Sequence, residues 1–469
     1  MANEKGNATL IAPQLAEFVT GLGHDDIPAD VRTRAGYLIL DAVGIALAST
    51  QYDFAHRALT ALSGFGAGDG HVIGFGTRLP LRDAVMMNGL LVHGLDYDDT
   101  HVAGVIHATA AAFPTALGMA ADRRLSGREM LSGFIAGMEV STRLGSVAKG
   151  GFHQVGFHPT GIIGVFACAM IAGRLTGLNA VQLADAQGIA LSMAAGSMEF
   201  LQDGAWTKRM HPGWAGVGGI TAAAMARAGF VGPKAVYEGR FGLFPIYLDK
   251  EHLQAVDMSL ATADLGKVWE INNVAVKPIP ACHFTHACAD AAMALRAEHG
   301  LKPEDIVSIR ALVPAGVHKT VCEPVGTKQT PQNSYDAQFS IPWAVASGLV
   351  HGRFGLADLT QEALTDAATQ ALAGKVTCEE YPDAPFPKYY SGEVIVTLMD
   401  GRVLTHVEEI NRGNPDRPLS NDEIVAKYWE NATTTVSGDH AAKIRDTVLA
   451  LDNLADVQGL AALLGGNPA

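Results

Sequence analysis

The chain has 469 residues, of which 48% are hydrophobic and 17% charged, and a formal net charge of −14. That length calls for two domains, and that composition excludes a disordered chain. The acidic balance argues against nucleic acid or an anionic membrane as a partner, although a cleft can still gather local positive charge for an anionic substrate.

Five scattered cysteines, odd in number and without zinc-type spacing, suit a reducing compartment, so a cytoplasmic protein is expected. The opening MANEKGNATLIAPQ carries no basic and apolar leader, and apolar runs such as 162–172 are too short to span a bilayer.

Helical periodicity rules the first half. Leu15, Phe18, Val19 and Leu22 mark one apolar face, and a second helix opens at Pro28 and runs through Val31, Ala35, Leu38, Ala42 and Ile45. The glycine-rich residues 64–76 read as a loop without phosphate-binding spacing. A helix from about Leu81 ends in the segment 91–107, LVHGLDYDDTHVAGVIH. Pro114 is expected to start the next helix, and the capping box of Ser126 with Glu129 to start a long one. Ala and Gly on inward faces would let these helices approach closely. GFHQVGFHPTG (151–161) breaks the run, Asn179 caps another helix, and 196–216 set Lys208, Arg209 and His211 among tryptophans and glycines. From about 270 the pattern changes. Val307, Ile309 and Ala311 alternate as a strand, and residues 393–398 and 403–407 flank an Asp400-Gly401 hairpin turn. A second capping box, Ser420 with Glu423, returns the chain to helix, with a last helix from about His440. The expected architecture is mainly α: an all-helical domain from residues 1–271 and 406–469, interrupted by a smaller α+β lid, 272–405.

The chemistry concentrates in 91–107, where Asp96, Asp98, Asp99, His93, His101, His107 and Thr100 stand among Leu, Val, Tyr, Gly and Ile. Such spacing buries polar groups, and burial shifts pKa values, which marks a candidate active site. Nine of the 17 histidines fall between His93 and His286. Histidine and lysine with a few acids suit substrates bearing several carboxylates, because cations stabilise the charge that develops when a neighbouring proton leaves. His93, His101, His107 and Asp96 form a rival metal set. HGLDYDDTH nevertheless lacks the paired histidines and intervening glutamate of helical zinc sites, so no metal is expected. No G-x-S-x-G elbow occurs, which argues against a serine hydrolase. On the plainer reading His93 is a core histidine, His283 and His286 pack or cap, Asp98 and Asp99 cap the next segment, and Lys208 pairs with Asp203 or Glu199.

LAEFVTGL, LDAVGIALA, HGLDYDDTH, GFHPTG, GSMEFLQDGAWTKRMHPGWAG, KPIPACHFTHACADAA, DAQFSIPWAVASGL and YSGEVIVTLMDGR occur in this order. In them the chain resembles the MmgE/PrpD family, named for 2-methylcitrate dehydratase and including cis-aconitate decarboxylase and iminodisuccinate epimerase. The resemblance implies a homodimer and a cofactor-independent site between the two domains. It also implies a small di- or tricarboxylate substrate, with 2-methylcitrate-like dehydration ahead of decarboxylation and epimerisation of an amino-dicarboxylate as the alternative. It matches Asp96, His107, His158, Lys208 and Lys277 to catalytic positions, and Thr100, His211 and Cys282 to substrate contacts; His101, within the same segment, is a further candidate for substrate binding. His158 or His107 would move the proton, the lysines would hold carboxylates, and Asp96 would orient a histidine. His107-Ala108-Thr109 departs from the family's usual His-Pro-Ser, and Trp343 stands where cis-aconitate decarboxylases carry tyrosine.

Overall fold

The structure is a computed structural model describing residues 10–466. The chain is mainly α, with a small mixed region and short sheets. The helices that frame the site are α1 (Ala29–Ser49), α2 (Leu81–His93), α3 (Ala108–Asp122), α4 (Gly127–Val147), α5 (Pro159–Leu175), α6 (Thr207–Arg227), α7 (His286–His299), α8 (Ile341–His351) and α9 (Asn421–Ala432).

Two hydrophobic cores organise them. The first draws residues from Ile11 to Val276 and again from Leu419 to Leu464, because α9 returns to pack along α1. At its centre α5 and α6 run against each other, and α6 also packs on α2. Close approach depends on glycine here: a Cβ on Gly89 of α2 would stand 2.7 Å from the Cα of Gly213 in α6. The second core runs from Ala275 to Leu398 and takes in Val102, Val105, Met198 and Phe200 from the first half of the chain.

The second core is built on strands β1 (Ile306–Val313), β2 (Val376–Glu380), β3 (Gly392–Leu398) and β4 (Val403–Glu408), in the order β2-β1-β3-β4. β1 pairs parallel with β2 and antiparallel with β3, and β3–β4 is the expected hairpin. Burial alternates along β3, with α7 packed against β3 and β4, as expected for a sheet with one face on the core.

Both capping boxes form. Ser126 and Ser420 accept from the backbone N–H of Glu129 and Glu423, and those carboxylates reach back to the cap. Two expectations need correction. Pro114 lies inside α3, which starts six residues earlier at Ala108, because the buried alanine run packs as helix. The helix Gly438–Leu449 is followed by another, Gln458–Leu464.

Candidate active site

Asp96, Thr100, His107, His158, Lys208, Lys277 and Cys282 line one narrow cavity of about 30 Å³ between the two cores. His153, His283 and Tyr390 join them, and Val105, Met198, Phe200, Phe284 and Phe339 form its apolar walls. His101 and His211 do not line it. The His101 ring is turned to Glu270, Nε2 to Oε2 3.2 Å, because residues 100–101 pair with 274–275 as a short ladder. His211 stands behind His158, their Nδ1 atoms 3.0 Å apart, and can act only through it. Trp343 is buried in α8 and donates to the Asp358 carbonyl, so its departure from tyrosine lies off the cavity.

The elements bring positive ends to this point. His107 and His158 are the N-cap residues of α3 and α5, and Lys208 sits in the first turn of α6. Helix N-termini favour an anion and disfavour an imidazolium.

Asp96 is the hub. Its Oδ1 accepts from Lys208 Nζ at 2.7 Å and Lys277 Nζ at 2.9 Å, and Lys277 also donates to its carbonyl at 2.8 Å. Lys208 therefore pairs with neither Asp203 nor Glu199. Burial alone would raise the Asp96 pKa, but the two ammonium groups overcome it and hold the carboxyl well below the usual range. Its Oδ2 is buried with no partner.

Asp96 has φ +50° and Val105 φ +51°, conformations unfavourable for residues with a Cβ, and most of all for a β-branched one. Side chains from distant segments impose the first. Within 94–99, the Gly94 carbonyl accepts from Arg209 Nε at 2.7 Å, Leu95 from Gln338 Nε2 at 2.5 Å, and Tyr97 from Lys427 Nζ at 2.8 Å. Arg209 is itself clamped between the rings of Phe54 and Tyr335. Lys427 pairs with Asp41 at 2.8 Å and covers the Tyr97 ring. Lys427 and Asp41 went unassigned at the level of sequence. The available signal was a charge on the apolar stripe of each helix, beside Ile424 and Tyr428 in α9 and beside Leu38 and Ala42 in α1.

The histidines are held neutral. Burial foremost drives His107 and His158 well below the ordinary imidazole pKa, with Lys208 adding to both. It takes His153 to about 4 and His211 to about 3. His107 Nδ1 donates to the Asp99 carbonyl at 2.6 Å, so its Nε2 carries a lone pair. His93 Nδ1 lies 2.7 Å from Asp98 Oδ2, a satisfied core contact, although its Nε2 lacks a partner. Asp98 therefore orients a histidine and does not cap. Asp99 does cap, accepting from the Thr109 N–H and hydroxyl in the first turn of α3, and burial raises its carboxyl to about 7. Burial also keeps Cys282 a thiol, with its pKa pushed up to about 11.

His93, His107 and His158 each offer a ring nitrogen within 4.8 Å of the others, and they are the residues that could hold a metal ion. Lys208 and Lys277 line the same cavity as His107 and His158, and their ammonium groups oppose a divalent cation at those two rings.

Comparison with known proteins meets this geometry. The chain is 28% identical to the cis-aconitate decarboxylase-like protein oryM of Aspergillus oryzae, over 98% of both chains. It is 28% identical to mouse cis-aconitate decarboxylase, over 97% of this chain and 93% of that one. A 2-methylcitrate dehydratase of Cupriavidus necator is 25% identical over 83% and 81%. The MmgE/PrpD N-terminal domain matches residues 13–256 and the MmgE/PrpD C-terminal domain residues 279–453. With both domains matched in order, the chain belongs to the MmgE/PrpD family and is an enzyme of that type.

Proposed function

We propose that the chain is a lyase that acts on a small di- or tricarboxylate by moving a proton at a carbon next to a carboxylate. One observation carries this reading: two lysines joined on a single oxygen of Asp96 share a cavity with uncharged imidazoles. A substrate carboxylate fits beside Lys208 and Lys277, which would stabilise the enolate-like charge built on it. Neutral imidazoles are the groups that can take or return the proton near neutral pH.

Decarboxylation of a cis-aconitate-like substrate is the finer reading, since the cis-aconitate decarboxylases match this chain almost end to end. As the C–C bond to the departing carboxylate breaks, carbon dioxide leaves, the electron pair stays on the skeleton and shifts its double bond, and a proton adds at the carbon where the displaced pair comes to rest. His158 is placed to supply it. With the shared proton on His211 Nδ1, His158 carries its own on Nε2; as Nε2 delivers it, the 3.0 Å contact passes the shared proton to His158 Nδ1, and solvent must restore the one proton the pair has lost to product. Dehydration is the second reading, favoured by His107, whose Nδ1 bond to the Asp99 carbonyl leaves Nε2 ready as a base.

Proton NMR of EDTA-treated protein in deuterated water, with cis-aconitate, citrate, 2-methylcitrate and iminodisuccinate, tests both. A product one carbon shorter is expected from cis-aconitate; a new alkene from a hydroxy acid would establish dehydration instead. Deuterium washed into an unchanged skeleton would establish an epimerase, and silence reversed by a divalent metal would overturn the metal-free reading. His158→Ala should abolish turnover while the protein stays folded by circular dichroism; retained activity would refute its role in proton transfer.

A further inference from the structure

Among the cavity residues is a polar side chain from the second core's segment that the proposed chemistry leaves unused. His283 lines the cavity, is 3% exposed, and its Nδ1 is buried without a hydrogen-bond partner. An unmade hydrogen bond at a buried polar atom is costly, so an orphan facing a cavity calls for a ligand.

The tautomer of this ring follows from its neighbours. Asn411, fully buried on the loop after β4, accepts the Tyr390 backbone N–H at its Oδ1, at 3.0 Å. That contact fixes which way its amide points, since the amide nitrogen could not accept from an N–H. Asn411 Nδ2 is then the atom 2.8 Å from His283 Nε2, and an amide nitrogen can only donate. Nε2 must therefore accept, and the ring proton of the neutral imidazole resides on Nδ1. Burial first, and the Lys277 ammonium second, keep the ring neutral by lowering its pKa to about 3. Nε2 is thus engaged by a residue outside the cavity lining, and the Nδ1–H is left without a partner.

We infer that His283 is a substrate-binding residue, whose Nδ1–H donates a hydrogen bond to a carboxylate or hydroxyl oxygen of the substrate, and that Asn411 is the positioning residue that sets this tautomer. The inference deepens the polycarboxylate reading and rests on it. A second carboxylate, beside the one held by Lys208 and Lys277, would find its donor in His283. Substrates with a single carboxylate would leave the Nδ1–H unpaired, so His283 also selects for the longer polyacid.

The test uses full-length protein labelled with nitrogen-15 at histidine, titrated with cis-aconitate and citrate, beside the variants His283→Asn, His283→Leu and Asn411→Asp. Asparagine places an amide N–H near the Nδ1 position, leucine removes it, and the carboxylate introduced by Asn411→Asp would draw the ring proton to Nε2. The wild-type His283 resonances should report a proton on Nδ1, and that N–H should shift with saturation as the acid binds. His283→Leu and Asn411→Asp should each weaken cis-aconitate binding about ten- to hundred-fold, the range of a lost hydrogen bond to a charged group, while His283→Asn recovers most of it. A proton on Nε2 in the free enzyme would overturn the inference, and so would undiminished affinity in His283→Leu. A wild-type protein that binds neither acid overturns the polycarboxylate reading and the ligand assigned here together; a proton still found on Nδ1 would tell that failure from a wrong tautomer.

Discussion

Lys208 and Lys277 meet the same oxygen of Asp96 but should not respond alike to removal. Lys277 is fully buried and also holds the Asp96 carbonyl, whereas Lys208 adds a contact at the cavity edge of α6. Lys208→Met leaves Asp96 still paired, so it should lower kcat/KM by about 100- to 1,000-fold, the loss typical of one removed oxyanion donor, with little change in melting temperature. Lys277→Met should lower both. Steady-state kinetics with thermal melts check the pair; equal loss of stability would place Lys208 among structural residues. Protonation follows the same separation. Because burial depresses the His107 pKa well below 6.5, the base stays uncharged down to mildly acidic pH. The acid limb of the kcat profile should therefore lie below pH 6.5, and a limb centred at the ordinary imidazole value would contradict the buried-base assignment.

Between residues and fold stands the loop 94–99, an element with little regular structure that nonetheless holds the hub. Its carbonyls are satisfied by side chains from α6, α9 and the second core, and this lets Asp96 keep φ +50°. Lys427→Met would strand Asp41 as a buried charge without its cation, a change that costs about 3–5 kcal/mol. Chemical denaturation should show that loss, and the double variant with Asp41→Leu should recover part of it, since an apolar pair leaves no orphan. If single and double variants are equally unstable, the ion pair is not what ties α9 to the loop. Helix packing is equally exacting: Gly89→Ala forces α2 from α6 and should cost about 1–3 kcal/mol by overpacking.

Across the whole molecule, the site belongs to neither core. Gln338, from the second core, donates to the Leu95 carbonyl of the first and to that of Pro280, and so links the two. The arrangement between the cores also concentrates buried imidazoles. His153 and His211 titrate near 4 and 3 in the fold but near 6.5 when unfolded, so their contribution is complete above pH 6.5 and is lost as pH falls toward those lower values. Asp99 acts in the opposite sense, stabilising below 3.8 and losing that contribution as pH rises through about 7. His93, His107, His158, His283 and His286 shift in the same direction as His153 and His211, so the acid-labile groups prevail. The melting temperature should fall between about pH 7 and pH 4.5, and should fall less in His211→Phe; a rise on acidification would refute this account.

Much of this was legible in the chain itself. The capping boxes at Ser126 and Ser420 close over three residues, the helix faces repeat over three or four, and the Asp400-Gly401 hairpin needs only its two flanking strands. Local interactions of this kind are written in adjacent residues, and so is the unusual mixture of carboxylates and imidazoles in 91–107. The tertiary structure decided what those polar groups do. Lys427 finds Asp41 across 386 positions and Gln338 finds Leu95 across 243. Strand β2 joins the sheet only through a parallel partner, and His101 leaves the cavity because a two-residue ladder turns it toward Glu270. The physical reason is common to all of them. A buried polar atom must find a partner wherever the fold brings one, and spacing along the chain does not say which distant side chain will arrive.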